Sequence, residues 1–351
     1  MNSYEKFREK LHNSIPIPTP SVKDKIELEI LATLITPEEA EIASNVSPQP
    51  ENLKTIAERA GLDPQVLGPI LEEIVEKGVI FKVYLDDPLY CLFPMMPGIY
   101  EFQVGRLTPE QVNLFEKYYA EGHGEAVFKN KMSFSRTIAL DKSVPAETNV
   151  LTFEEVDHII DNASSITLAP CLCRTNKKLI GEGCDAPADD ICILFDSWAE
   201  YYARKGLGRA VDKAEAKKAL ERAEKAGLVH VTMNVKVGGL YICNCCGCCC
   251  ALLRGITQLN IPTSITKSNF RATVSEKDCV GCNVCVDACH VKAIRLEDSL
   301  AVISEESCIG CGLCVSACPY GALAMERKEQ IDATPETIPD LLGAIAAGRA
   351  D

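Results

Sequence analysis

Along the first hundred residues the apolar positions recur at helical spacing, and polar punctuation separates them into short segments. Residues 1–21 end in Ile15-Pro16-Ile17-Pro18-Thr19-Pro20, a proline-punctuated arm. Ile26, Leu28, Ile30, Leu31 and Leu34 predict one short helix. Thr36-Pro37-Glu38-Glu39 opens a second with an N-cap, a proline in the first turn and early acidic charge. Leu53 to Ala60 forms a further helix closed by Gly61. Asp63-Pro64 caps the next, which runs through Ile70, Leu71, Ile74 and Val75 to Gly78. From Val79 to Leu85 and from Leu89 to Phe93 the pattern alternates like a hairpin across Asp86-Asp87-Pro88. Beyond it, Thr108-Pro109-Glu110 starts a helix through Tyr119, Phe153 to Ala163 predicts another, and Ile166 to Ala169 predicts a strand leading into Cys171. Residues 196–227 read as largely helical, with Gly227 as a stop. Leu341, Leu342 and Ile345 predict a last helix, either a docking element or a fold-back cap.

Two helices and a hairpin over residues 51–93 resemble winged-helix domains. A DNA-reading helix needs Arg, Lys, Asn or Gln facing base edges and basic neighbours for phosphate. The candidate helix, Pro64 to Lys77, carries three glutamates and one lysine. Residues 1–105 hold nine Lys and Arg against seventeen Asp and Glu. Such a surface repels phosphate, so the module is read as protein-docking and no nucleic-acid partner is expected. The whole chain carries a formal charge of −14. It has no long apolar run to span or insert into a membrane and no export signal, which predicts a cytoplasmic protein.

Cysteine changes the picture most. The 351 residues include 19 cysteines, many adjacent or one apart. Neighbouring thiols do not readily pair with each other as disulfides, but they can all bind metal. Without an export signal, a reducing, metal-binding compartment is expected, and an anaerobic or low-oxygen one, given the oxidation such thiolates suffer in air.

Eight of them form a tandem repeat. Cys279, Cys282, Cys285 and Cys289 are followed by Cys308, Cys311, Cys314 and Cys318, with Pro319 after the last. Three cysteines three residues apart can reach three corners of one cube, and the fourth points to the other cube. Cys279, Cys282, Cys285 and Cys318 are thus expected to hold one [4Fe–4S] cluster, and Cys308, Cys311, Cys314 and Cys289 the second. The segment resembles the two-cluster bacterial ferredoxins. His290 departs from that pattern, standing where the repeat usually has proline.

Ten more cysteines lie upstream: Cys171, Cys173, Cys184 and Cys192, then Cys243, Cys245, Cys246, Cys248, Cys249 and Cys250, six within eight residues. They predict one or two further iron–sulfur clusters, with zinc as the alternative. The first four are expected to contribute to one site and the last six to a second or to completing the first; an interleaved partition and a larger or non-cubane cluster stay open. A Cys-x-Cys pair on an extended segment puts both thiols on one face, and the strand before Cys171 predicts that arrangement there. Cys245-Cys246-Gly247 resembles the cysteine-rich modules of heterodisulfide reductase, although the flanking spacings differ. Arg174 is read as either a donor to a cluster sulfur or a surface ion-pair partner, His230 as a packed core histidine, and Cys91 as a buried small side chain.

The expected fold is α+β and multidomain: a helical, winged-helix-like module (1–105), a mixed α/β cysteine-rich domain (106–272), a bacterial ferredoxin ββ/α-repeat domain (273–327) and a tail helix (328–351). The order resembles multi-cluster 4Fe–4S binding proteins of anaerobes, which implies electron transfer. The leading expectation is an electron-transfer subunit of a larger oxidoreductase hetero-oligomer, relaying low-potential electrons between redox partners such as a flavoprotein or a metalloenzyme subunit. It would have no catalytic residue of its own. The alternatives are an iron–sulfur reductase with a substrate-binding cluster in the cysteine-rich domain, and a redox-sensing winged-helix regulator. No phosphate-binding or dinucleotide-binding loop is found.

Overall fold

Capping chemistry fixes the N-terminal helices where the polar punctuation predicts them. In the computed structural model, which describes residues 1–145 and 150–349, helices span Ser3–Ser14, Ile26–Leu34 and Pro37–Ala43. Thr36 and Glu39 cap each other's backbone N–H groups. Helices Leu53–Ala60 and Pro64–Glu76 come next, joined through Gly61 at φ 66°. The hairpin pairs Ile80–Val83 with Leu89–Leu92, and Glu51–Asn52 adds a third antiparallel strand. Glu72 accepts from Lys82 at 2.7 Å and from Tyr90 at 2.6 Å, so this glutamate of the acidic helix is spent on its own hairpin. The Tyr201 hydroxyl donates to the Val75 carbonyl and Arg106 to that of Glu76. These two bonds pin the C-terminal end of that helix to the helix Asp196–Arg204 and to the loop before Pro109.

The middle of the chain is a six-stranded antiparallel sheet. Its order is 135–138, 229–233, 241–245, 192–195, 166–169, 209–210. Helices Val156–Asn162 and Lys213–Lys225 cover one face, packing Ile160, Ala216 and Leu220 onto Leu168, Ile193 and Ile242. On the opposite face, Leu194 and Tyr241 join a core that continues into the N-terminal helices through Trp198, Phe102 and Phe115. Leu341 and Ile345 of the last helix, Ile338–Ala347, belong to the same core. That helix folds back: Arg349 donates to the His12 carbonyl, and Lys236 and Val237 pair with the backbone of Pro335 and Glu336.

In the ferredoxin-like segment, Phe270–Val274 pairs antiparallel with Leu323–Arg327, and Ile294–Glu297 with Leu300–Ile303. The short helices Val284–Asp287 and Leu313–Ala317 carry Cys285 and Cys314. Among the described residues no helix is long and apolar enough to cross a membrane.

Candidate iron–sulfur sites

The tandem repeat brings its cysteines together in the crossed pattern. Cys279, Cys282, Cys285 and Cys318 surround one small cavity with Val280, Leu296 and Tyr320. Cys289, Cys308 and Cys311 neighbour Cys314 closely enough that their charges, after burial, push its thiol up. The backbone is shaped for sulfur-bound groups. Ala293 N–H donates to Cys289 Sγ at 3.2 Å and Ala322 N–H to Cys318 Sγ at 3.3 Å, each four residues after the last cysteine of its repeat. Ala301 N–H reaches Cys279 Sγ at 3.5 Å. Gly281 and Gly310 sit at φ 67° and 70°, and a Cβ there would fall 2.4 Å from the Ser299 carbonyl oxygen and 2.2 Å from that of Phe270. Only glycine combines that conformation with that closeness. These features fit two [4Fe–4S] clusters. The quartets differ in exposure: Cys282 is exposed, whereas burial pushes Cys311 up to about 12.

The ten upstream cysteines fall into two groups that interleave along the chain. Six form a run of neighbouring thiols along one cavity, whose wall Cys246 and Cys249 also reach. Cys192 and Cys243 lie one step beyond the Ile193–Ile242 pair, on neighbouring strands, with sulfurs 3.6 Å apart. Cys245 follows Cys243 on the same face. Neighbouring thiols then run from Cys245 to Cys250, Cys173 and Cys171. Cys171 is not extended with Cys173 as predicted: the strand ends at Ala169, Cys171 caps the helix Leu172–Leu179, and Cys173 sits in its first turn. The sulfurs meet because the helix start faces the strand. For Cys171, Cys243, Cys245 and Cys250, neighbouring sulfurs and burial push the thiols well above the ordinary range, so six crowded thiols need a cation to ionise together.

The remaining four, Cys184, Cys246, Cys248 and Cys249, draw their sulfurs together; Cys246 and Cys249 are buried with Ile191, Ala223 and Leu228 in a small core against which Cys184, Cys171 and Cys173 pack. Arg174 lies between the two groups. It is fully buried and donates to the carbonyls of Pro187 and Asn244, at 2.9 and 3.0 Å, and to Cys246 Sγ at 3.6 Å. Of its two expected roles, the structure supports the sulfur donor over the surface ion pair. His230 is a core histidine, its Nδ1 2.6 Å from Asn244 Oδ1. Cys91 is buried, and burial pushes its thiol up to about 12.

The cavity holds about 150 Å³ and is walled by Trp198, Tyr202, Tyr241, Phe134, Glu101 and His123 besides its cysteines. Burial pushes Glu101 up to about 7 and His123 down to about 3. None of these residues sits in a motif, and only the tertiary fold gathers them. Met96, Pro97 and Glu101 come directly after the hairpin, so the N-terminal module supplies one wall. Glu116 braces the far side. It accepts from Arg254 at 2.7 and 3.1 Å and from Lys177 at 2.8 Å, joining the helices that begin after Cys250 and Cys171.

His290, the departure from the repeat, joins the two parts. Its Nε2–H donates to the Gly227 carbonyl at 2.7 Å, and its Nδ1 accepts from Gly247 N–H at 3.2 Å, inside the Cys246–Cys248 turn. A Cβ on Gly247 would lie 2.2 Å from the His290 carbonyl oxygen.

No curated protein and no solved structure matches the chain. Residues 272–325 match the 4Fe–4S dicluster domain family, and with the cysteines gathered around them this match supports an iron–sulfur binding protein.

Proposed function

We propose that the chain relays low-potential electrons from the quartet with the exposed Cys282, formed with Cys279, Cys285 and Cys318, through the less exposed quartet, Cys289, Cys308, Cys311 and Cys314. They would end at a further iron–sulfur centre held by cysteines of the six-thiol cavity. The clusters would supply reversible one-electron oxidation and reduction. The chain's residues hold them, exclude water and tune them by hydrogen bonds to sulfur.

One observation carries this reading. A single hydrophobic core buries Cys245 and Cys250 of the cavity, and Cys243, Cys289, Cys308 and Cys311 pack against it. The dicluster segment and the cavity thus share a dry boundary. At the other end, Val280, Val284 and Tyr320 are exposed around the first quartet and offer a redox partner an apolar landing face. Membership in a larger oxidoreductase complex in the cytoplasm belongs to this same reading. Rapid freezing of the anaerobic protein after mixing with a reduced low-potential donor tests it. Signals from the dicluster segment should appear first and those of a third centre later. Dicluster signals alone, at all times, would exclude the relay.

The cavity's protonatable lining, Glu101 and His123, favours a second reading, reduction of a small molecule at the cavity centre. Consumption of an acceptor by the purified chain, with chemical reductant and no partner protein, would establish it over the relay.

A further inference from the structure

Cys184, Cys246, Cys248 and Cys249 are packed differently from the cysteines of a cluster. Their four sulfurs all lie within 4.8 Å of one another. Cys184 stands 3.8 Å from both Cys246 and Cys249, and Cys248 stands 3.7 Å from Cys249. Four sulfurs bound tetrahedrally to one ion at ~2.3 Å are separated by ~3.8 Å. The thiolates of a cubane bind four different irons and point away from the cube, so they stand well beyond that spacing. The molecule contains its own comparison. Among the described residues no other group of three or more cysteines, histidines or carboxylates is drawn so tightly, and that includes both quartets of the dicluster segment.

We propose that these four cysteines hold a single tetrahedral zinc ion. Arg174 supplies an independent reason. Its guanidinium is fully buried, no carboxylate pairs with it among the described residues, and its Nη2 has no hydrogen-bond partner. A buried cation requires a counter-charge. Four thiolates around one divalent ion carry a net double negative charge, and Cys246 Sγ is 3.6 Å from Arg174 Nη1. Four thiolates close the coordination shell and leave no position for substrate, as in structural zinc sites. The ion would clasp the loop bearing Cys184 to the Cys246–Cys249 turn.

The test uses the full chain purified without oxygen, with zinc, iron and sulfide measured together. Wild type should carry about one zinc per chain. Cys184→Ser should lose it while iron and sulfide stay at the wild-type level, and Cys91→Ser should change neither. X-ray absorption at the zinc edge of the wild-type protein needs no variant and should show four sulfurs at ~2.3 Å. Absence of zinc from wild type, a zinc shell containing nitrogen or oxygen, or loss of iron and sulfide in Cys184→Ser would overturn the proposal. The relay is judged separately, by the signals of the dicluster segment and of the cavity centre.

Discussion

Replacing His290 with proline should loosen the seam between the dicluster segment and the cysteine-rich turn without removing a ligand. The second repeat carries Pro319 at the equivalent place, so the local fold accepts proline there. In this pairing Nε2 donates and Nδ1 accepts, because the Gly227 carbonyl can only accept and the Gly247 amide can only donate. Proline removes both bonds. At ~0.5–1.5 kcal/mol each, the loss is ~1–3 kcal/mol, with part recovered by water because both glycines are half-buried. If the turn opens locally, that loss corresponds to ~5–150-fold faster hydrogen exchange of amides in the 246–250 segment. Exchange read by mass spectrometry, beside iron content and the reduction rate of the cavity centre, forms the assay. Iron should be unchanged, exchange faster and internal electron transfer slower. Wild-type exchange and wild-type transfer in His290→Pro would refute the claim that this histidine holds the two parts in register.

Burial alone would raise the Glu116 carboxyl, but the hydrogen bonds from Arg254 and Lys177 outweigh it and hold it below its ordinary value. Its contribution is therefore complete above about pH 5 and is lost as pH falls through the folded-state value. Glu116→Gln should cost ~2–3 kcal/mol near neutral pH by leaving the mostly buried Arg254 without a carboxylate and Lys177 with Glu182 alone, and the cost should shrink on acidification in denaturant titrations. A cost that grows on acidification would contradict this. Val280→Lys, on the exposed apolar face, should slow reduction by a protein donor about tenfold, equivalent to ~1.4 kcal/mol, and leave reduction by dithionite unchanged. Cys91→Ala should keep full iron content and lose only ~1 kcal/mol of packing in an unfolding measurement; iron loss would make Cys91 a ligand. The acidic N-terminal helices should show no binding to duplex DNA even at low salt, and retention of labelled duplex would revive a regulatory reading.

The dicluster segment was legible because its chemistry is local: three ligands lie within seven residues of one loop, and the spacing itself states the geometry. The upstream grouping was not, because sheet register decides it. Cys192 and Cys243 meet only because residues 192–195 pair with 241–245, and chain order left open whether they share a site. Cys184 joins Cys246, Cys248 and Cys249 through a loop whose sequence carries no directional signal. Cys171 and Cys173 were read as extended because a strand precedes them. Cys171 instead starts a helix without a side-chain cap of its own, so the usual Ser, Thr, Asp or Asn marker is missing. The N-terminal elements were legible from caps and apolar spacing. Their role as a cavity wall was not, since Met96, Pro97 and Glu101 belong to no pattern. The tail resolves as a fold-back cap because Leu341 and Ile345 complete the N-terminal core, a partner that no local sequence could announce.

The central claim is that redox chemistry extends beyond the dicluster segment into the six-thiol cavity. Iron and sulfide quantitation tests it most directly, read beside the electron paramagnetic resonance of the reduced protein, on wild type and on the double variant Cys243→Ser/Cys245→Ser. The account predicts clearly more than about eight irons in wild type, the number two cubanes require. In the variant it predicts a fall to about eight, with the dicluster signals intact. About eight irons in both proteins, with identical spectra, would confine the redox centres to residues 272–325 and contradict the account.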